Sequence, residues 1–172
     1  MRYYKVDADA VPDLEFEHDH STLFKLRSFI TPKSEVVAYN PHQKGHSVPV
    51  RLKNDVPYIS IQPQFRVLVS TGIVFSIPTK FQLRVTSNKA LALSNGITLL
   101  NGTEIYDNDY TEELRLTLFN NSDTPVHIFN NEVIAEATLN KVLEYTLEPT
   151  SRKVAVKNVE STEPEDEDKT DE

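Results

Sequence analysis

The sequence predicts an all-β fold, a sandwich or a closed barrel, on three observations. Short apolar or alternating segments recur between polar corners from residue 67 to residue 139. No stretch holds a 3.6-residue apolar period long enough for a substantial helix. Pro32, Pro41, Pro49 and Pro57 punctuate residues 31–60, where they break helices and confine strands to short pieces.

In chain order, residues 1–30 carry scattered charges and one strand near Leu23 to Ile30. His18 and His20 flank Asp19, and two His at i and i+2 share a strand face as metal ligands would. No third ligand with suitable spacing follows, so a solvated polar loop is the preferred reading, as it is for His42 and His46 beside Gly45. Val67–Thr71 and Ile73–Ile77 read as paired strands around Gly72. Pro78-Thr79 makes a corner, Phe81–Val85 returns, and Ser87–Ala92 suits a brief helical turn. Ile97–Leu100 is a short apolar run ended by the turn dipeptide Asn101-Gly102. Ile105-Tyr106 leads to an acidic tip, Asp107-Asn108-Asp109, and Glu113–Phe119 alternates as a half-buried strand should. Together these segments predict a β-hairpin presenting carboxylates on a rigid support. Thr117–Asn121 ends that strand, Asp123-Thr124-Pro125 turns it, and Val126–Phe129 pairs back. A last turn at Asn130-Asn131-Glu132 precedes Val133–Leu139.

The 172 residues suit one domain of ordinary core size, with 38% hydrophobic residues, four Gly, and neither Cys nor Trp. Without Cys there are no disulfides, thiolate zinc sites or Cys nucleophiles, which fits a reducing cytosol or a virus particle assembled there. No apolar run reaches the ~18 residues of a membrane span, and Met1-Arg-Tyr-Tyr-Lys-Val-Asp7 lacks the apolar core of a signal peptide. The net charge is −8, and the last ten residues, with seven acids and one Lys, hold −6 of it. An acidic chain without a basic stripe is a poor partner for nucleic acid. Residues 149–172 have the composition of a disordered acidic tail.

Gly96, Ile97, Asn101, Asp107, Asp109, Tyr110 and Glu113 stand at the spacing of the third motif of trimeric dUTPases, which this stretch resembles. The similarity runs without a gap from Val67 to Ala135, about half of the chain. It implies a dUTPase-like β-barrel or jelly-roll-type sandwich. Residues 61–148 would form its core and residues 1–60 a divergent N-terminal part of the same β domain. By the same resemblance the chain forms a homotrimer. Asp107 would activate the attacking water, Tyr110 would pack under the deoxyribose, and backbone from Asn101 and Gly102 through Ile105 to Tyr106 would read the base edge.

The remaining motifs are degenerate. The first, whose Asp helps hold the substrate's magnesium, falls near Ser47-Val-Pro-Val-Arg-Leu52, with no carboxylate unless Asp55 replaces it from a shifted loop. The second, Pro-Arg-Ser-Gly, is Ser87-Asn88-Lys89-Ala90, where Lys89 offers a phosphate only a point charge. In the fourth, Glu132, Ile134 and Ala135 fit, but Asn131 replaces Gly, Val133 replaces Arg and Glu136 replaces Gln. No glycine follows Gly102 to build the fifth, a Gly-rich arm. Glu104 stands where the family has a small Gly beside its substrate.

Three functions follow from this pattern. The first is a non-catalytic trimer, for which a viral capsid-surface component is one form. A regulator that captures a deoxyuridine nucleotide or a protein is the other. The second function is an active Mg-dependent dUTP diphosphatase with Asp107 as base. The third is a binder of a different nucleotide, one with fewer phosphates among the candidates. Asp107, Asp109 and Tyr110 also have a purely structural reading, since Asx residues shape tight tips and Tyr fills interfaces.

Overall fold

The computed structural model describes residues 1–143, 145–147 and 149; the expected disordered tail, Pro149 apart, lies outside them. Thirteen strands and one helix are described. The first six strands are β1 (Arg2–Lys5), β2 (Phe24–Arg27), β3 (Val36–Tyr39), β4 (Gly45–Val48), β5 (Arg51–Lys53) and β6 (Val56–Ile61). Next come β7 (Arg66–Ser76), β8 (Phe81–Ser87), α1 (Lys89–Asn95), β9 (Ile97–Leu99) and β10 (Thr103–Tyr106). The chain continues with β11 (Glu113–Asn120), β12 (Val126–Phe129) and β13 (Val133–Lys141).

Three sheets share one core. The largest runs β4-β3-β7-β11-β9 with β1 added along β7; the others are β10-β8-β13-β2 and β12-β6-β5. All the described pairings are antiparallel, so strands joined by short loops can alternate one buried and one solvated face. In β11, Leu114, Leu116 and Leu118 turn inward; in β8 Leu83 and Val85 do, and in β6 Ile59 and Ile61. They meet Leu26, Ile128, Ile134 and Ala137 in a single apolar cluster. Strands β1 to β6 each pair into these sheets, so residues 1–60 are woven into the same system.

Two local expectations are corrected. Val67–Thr71 and Ile73–Ile77 do not pair with each other but form one continuous strand, β7, which ends at Ser76. Gly72, at φ +69°, makes a bulge rather than a turn: Ser70 faces Arg115 and Val74 faces Glu113, so three residues of β7 oppose one of β11. A Cβ at Gly72 would lie 2.5 Å from Val11 Cγ2, which leaves the position to glycine. The predicted hairpin over 97–119 is an arch. β9 and β11 pair within the large sheet, whereas β10 joins β8 in the second sheet, so the segment crosses from one sheet to the other.

Other turns follow their residues. Asn54 and Asp55, both at positive φ, join β5 to β6 as a two-residue loop. Asn88 caps α1 by accepting the Leu91 N–H at 2.9 Å, and Gly96 ends it in the left-handed conformation.

Candidate functional site

The arch leaves part of β11 without a strand neighbour. β9 covers Leu118 to Asn120, and beyond it the same edge of β11 continues through Thr117, Arg115 and Glu113. Unpaired edge groups must find partners. Here side chains of the 103–110 segment supply them. Glu104 Oε1 accepts the Thr117 N–H at 3.3 Å, the Tyr106 hydroxyl donates to Arg115 O at 3.3 Å, and the Tyr110 hydroxyl donates to Glu113 O at 3.0 Å. The Tyr106 hydroxyl also donates a hydrogen bond to the Glu104 carboxylate. The slot between β10 and the β11 edge is thus sealed by the chain itself.

The seal is well ordered by packing. Glu104 is buried, 8% exposed, on the inward phase of β10. The rings of Tyr106 and Tyr110 meet edge-on, with centroids 4.8 Å apart. Burial raises the Tyr106 hydroxyl above its ordinary pKa, reinforced by the hydrogen bond to Glu104. The Tyr110 hydroxyl is raised by burial and then by the Glu112 charge. Both phenols are therefore neutral donors throughout the physiological range. Behind them, Glu113 accepts the Gly72 N–H at 2.9 Å and the Ser70 hydroxyl, tying the bulge of β7 to the arch.

The six residues singled out from the sequence take up different positions relative to this slot. Tyr110 is part of the seal, and Asp107 lies exposed at the start of the crossing loop, its carbonyl accepting the Tyr110 N–H at 3.1 Å. Ile105 points outward, 57% exposed. Asn101 and Gly102 form an exposed turn, closed by Gly102 N–H to Leu99 O at 3.0 Å. Lys89 is exposed at the first turn of α1. Its neighbour Asn88 donates to Glu136 Oε1 at 2.8 Å. The second-motif and fourth-motif positions are thus bonded to each other. Asn131 holds φ +65°, a conformation that Asn tolerates in place of glycine. The sequence reading does not find Glu104, Tyr106 and Thr117 as one sealed edge. The signal available for it is a charged residue on the inward phase of a short strand.

Among the described residues, no three His, Cys, Asp or Glu side chains converge on a metal position. His18 and His20 are exposed on a turn, and His46 Nε2 lies 3.0 Å from the Asn40 amide. No helix among the described residues is long and apolar enough to cross a membrane.

Glu132 closes the turn before β13 by accepting the Phe129 N–H at 2.8 Å. Burial raises its pKa above 4.5, against the lowering effect of that hydrogen bond. A carboxyl raised on folding binds its proton more tightly in the native state, so stability falls as pH rises from about 4.5 through the folded value. Glu132→Gln keeps the acceptor and removes the charge. Urea unfolding from pH 4 to 8 is expected to show a flatter profile, with the variant more stable at pH 7.

Comparison with known proteins agrees with this architecture. The dUTPase family model matches residues 55–164. The deoxyuridine 5'-triphosphate nucleotidohydrolase of Fusobacterium nucleatum is 32% identical over 119 residues, 69% of this chain and 75% of that one. The Hydrogenobaculum protein of the same name is 38% identical over 86 residues, and the Helicobacter hepaticus protein 36% over 84. The chain spans 60% and 53% of the length of those two curated relatives. Among solved structures, the Streptococcus mutans dUTPase superposes with a TM-score of 0.62 at 13% identity, covering 84% of this chain and 98% of that one. The Staphylococcus bacteriophage 80alpha dUTPase gives 0.64 at 13% identity, covering 90% and 97%. A dUTPase-like sheet system, a matching family model and a relative aligned over more than two thirds of the chain lead to one conclusion: this chain belongs to the dUTPase family.

Proposed function

We propose that the chain is a non-catalytic dUTPase-fold homotrimer, a binding or structural module whose nucleotide slot has been closed from within. The observation that carries this reading is the sealed β11 edge. Glu104 and Tyr106 already take the donor and acceptor that a base edge would need. The Asn88–Glu136 pair supports it, because it places a carboxylate where a triphosphate would require positive or neutral donors. Mg2+ chemistry does not enter this reading, since the first-motif positions Ser47 to Leu52 hold no carboxylate. The partner is a protein surface, met in the cytosol or in a virion assembled there.

A second reading, Mg-dependent dUTP hydrolysis with Asp107 as the water-activating base, draws on one observation. Asp107 is exposed at the loop start, and its carboxylate has no partner among the described residues. Pyrophosphate release from dUTP with magnesium decides between the two. The expected result is no release above buffer. Turnover of about 1 s⁻¹ or more, abolished by Asp107→Asn, would overturn the proposal.

A further inference from the structure

A second concave feature lies between the β3–β4 hairpin and the β5–β6 hairpin, where Ser47, Val48, Pro49 and Arg51 of the degenerate first-motif stretch form part of its lining. It is a cleft of about 200 Å³, and it shares no residue with the β10–β11 slot. Its apolar part is Ala38, Val48, Pro49 and Phe65, and its polar part includes Arg51, His46, Ser60 and Gln62. No acidic side chain lines it, although the protein as a whole carries −8.

Three observations bear on what would enter. Arg51 is exposed on β5 and makes no ion pair or side-chain hydrogen bond among the described residues, so its guanidinium fork is unspent. Lys53, two residues on, sits over the Phe129 ring at 5.9 Å and does not line the cleft, which leaves Arg51 as its strong cation. His46 is fixed, with its ring centroid 6.0 Å from that of Phe65 and its Nε2 3.0 Å from the Asn40 amide. One wall therefore carries a single cation, Arg51, unpaired among the described residues, and the other is apolar and ordered.

We propose that this cleft binds a small organic anion, a carboxylate carried on a single ring or a short branched apolar body. Arg51 takes the carboxylate through two parallel N–H donors, a geometry that Lys does not offer. The apolar body rests on Phe65, Val48 and Ala38, where a bare inorganic ion would leave apolar surface wet. The volume is below the ~300–1,000 Å³ of pockets for drug-sized ligands, which limits the body to about one ring.

The test is an amide-resolved NMR titration of the full chain with benzoate, benzamide and inorganic phosphate. Benzoate is expected to shift amides of residues 45–51 and 60–65 in a saturable manner. Benzamide, of the same shape without the charge, should bind about 10-fold more weakly or less well still. Arg51→Gln should weaken benzoate by about the same factor while leaving the remaining spectrum in place, because the side chain is exposed and bonds nothing among the described residues. Equal binding of benzamide, equal binding of phosphate alone, an unaffected Arg51→Gln variant, or no shift at about 20 mM benzoate would each overturn the assignment.

Discussion

Replacing Asn120 with alanine is expected to destabilise the protein by about 3–5 kcal/mol, a large share of the ~5–15 kcal/mol that holds a typical domain together. Asn120 is fully buried at the end of β11, on the phase otherwise occupied by Leu114, Leu116 and Leu118. Its amide nitrogen donates to Ile61 O at 2.9 Å and Thr124 O at 2.8 Å. Its carbonyl oxygen accepts the Ser122 N–H at 2.9 Å and the Ser122 hydroxyl at 2.7 Å. One side chain therefore joins β6, β11 and the turn leading to β12. Alanine removes it, strands the buried Ile61 carbonyl at about 1–3 kcal/mol, takes partners from the part-buried Ser122 N–H and Thr124 carbonyl, and leaves a cavity in the core. Thermal unfolding should fall by roughly 2–4 °C per kcal/mol for a chain of this size. The neighbouring Asn121→Ala removes an exposed side chain and should stay within about 0.5 kcal/mol of the parent. Similar losses for both variants would show that the Asn120 network contributes nothing particular.

Alternation along the chain encodes some of these strands and not others. β8, β11 and β12 are legible because their buried residues alternate against the core, and β13 because Ala135 and Ala137 do so beyond a register shift that also buries Ile134. The helical turn at Ser87–Ala92 extends to Asn95 as α1, because Gly96, not Leu93, is its stop. β4 and β5 expose nearly every residue, so they carry no buried phase for a period-two reading to find. Strand partners are the harder part. Local pattern marks Ile97–Leu100, Ile105-Tyr106 and Glu113–Phe119 as extended segments but does not say that the middle one leaves for another sheet. That choice depends on what the unpaired β11 edge meets, which is a matter of side chains. Tyr110 can be named from the motif, whereas Glu104 registers only as bulk in place of glycine. Its hydrogen bond to Thr117 N–H needs the arch to exist first.

Opening the slot is the change with the greatest expected gain. In the double variant Glu104→Gly with Tyr106→Phe, the Thr117 N–H and the Arg115 carbonyl lose their side-chain partners. The phenylalanine introduced at position 106 keeps an aromatic ring against Tyr110, so the arch retains its packing. The freed donor and acceptor, two residues apart on one strand edge, complement a base edge that presents a carbonyl beside an N–H. Uracil has such an edge on either side of its N3–H, whereas cytosine presents its amino donor and bare ring nitrogen in the reverse order to uracil's O4 and N3–H, so the same seating mismatches both groups. Two hydrogen bonds at about 0.5–1.5 kcal/mol net each, plus stacking on half-buried rings, bring deoxyuridine monophosphate from no measurable binding to roughly millimolar affinity. Calorimetry should register that gain for deoxyuridine monophosphate and not for its deoxycytidine counterpart. Glu104→Ala with Tyr106→Phe provides the same opening without a glycine in β10, which guards against loss of the strand. If neither variant gains affinity, or if the parent chain already binds deoxyuridine monophosphate as tightly, the side chains of Glu104 and Tyr106 are not what closes this site.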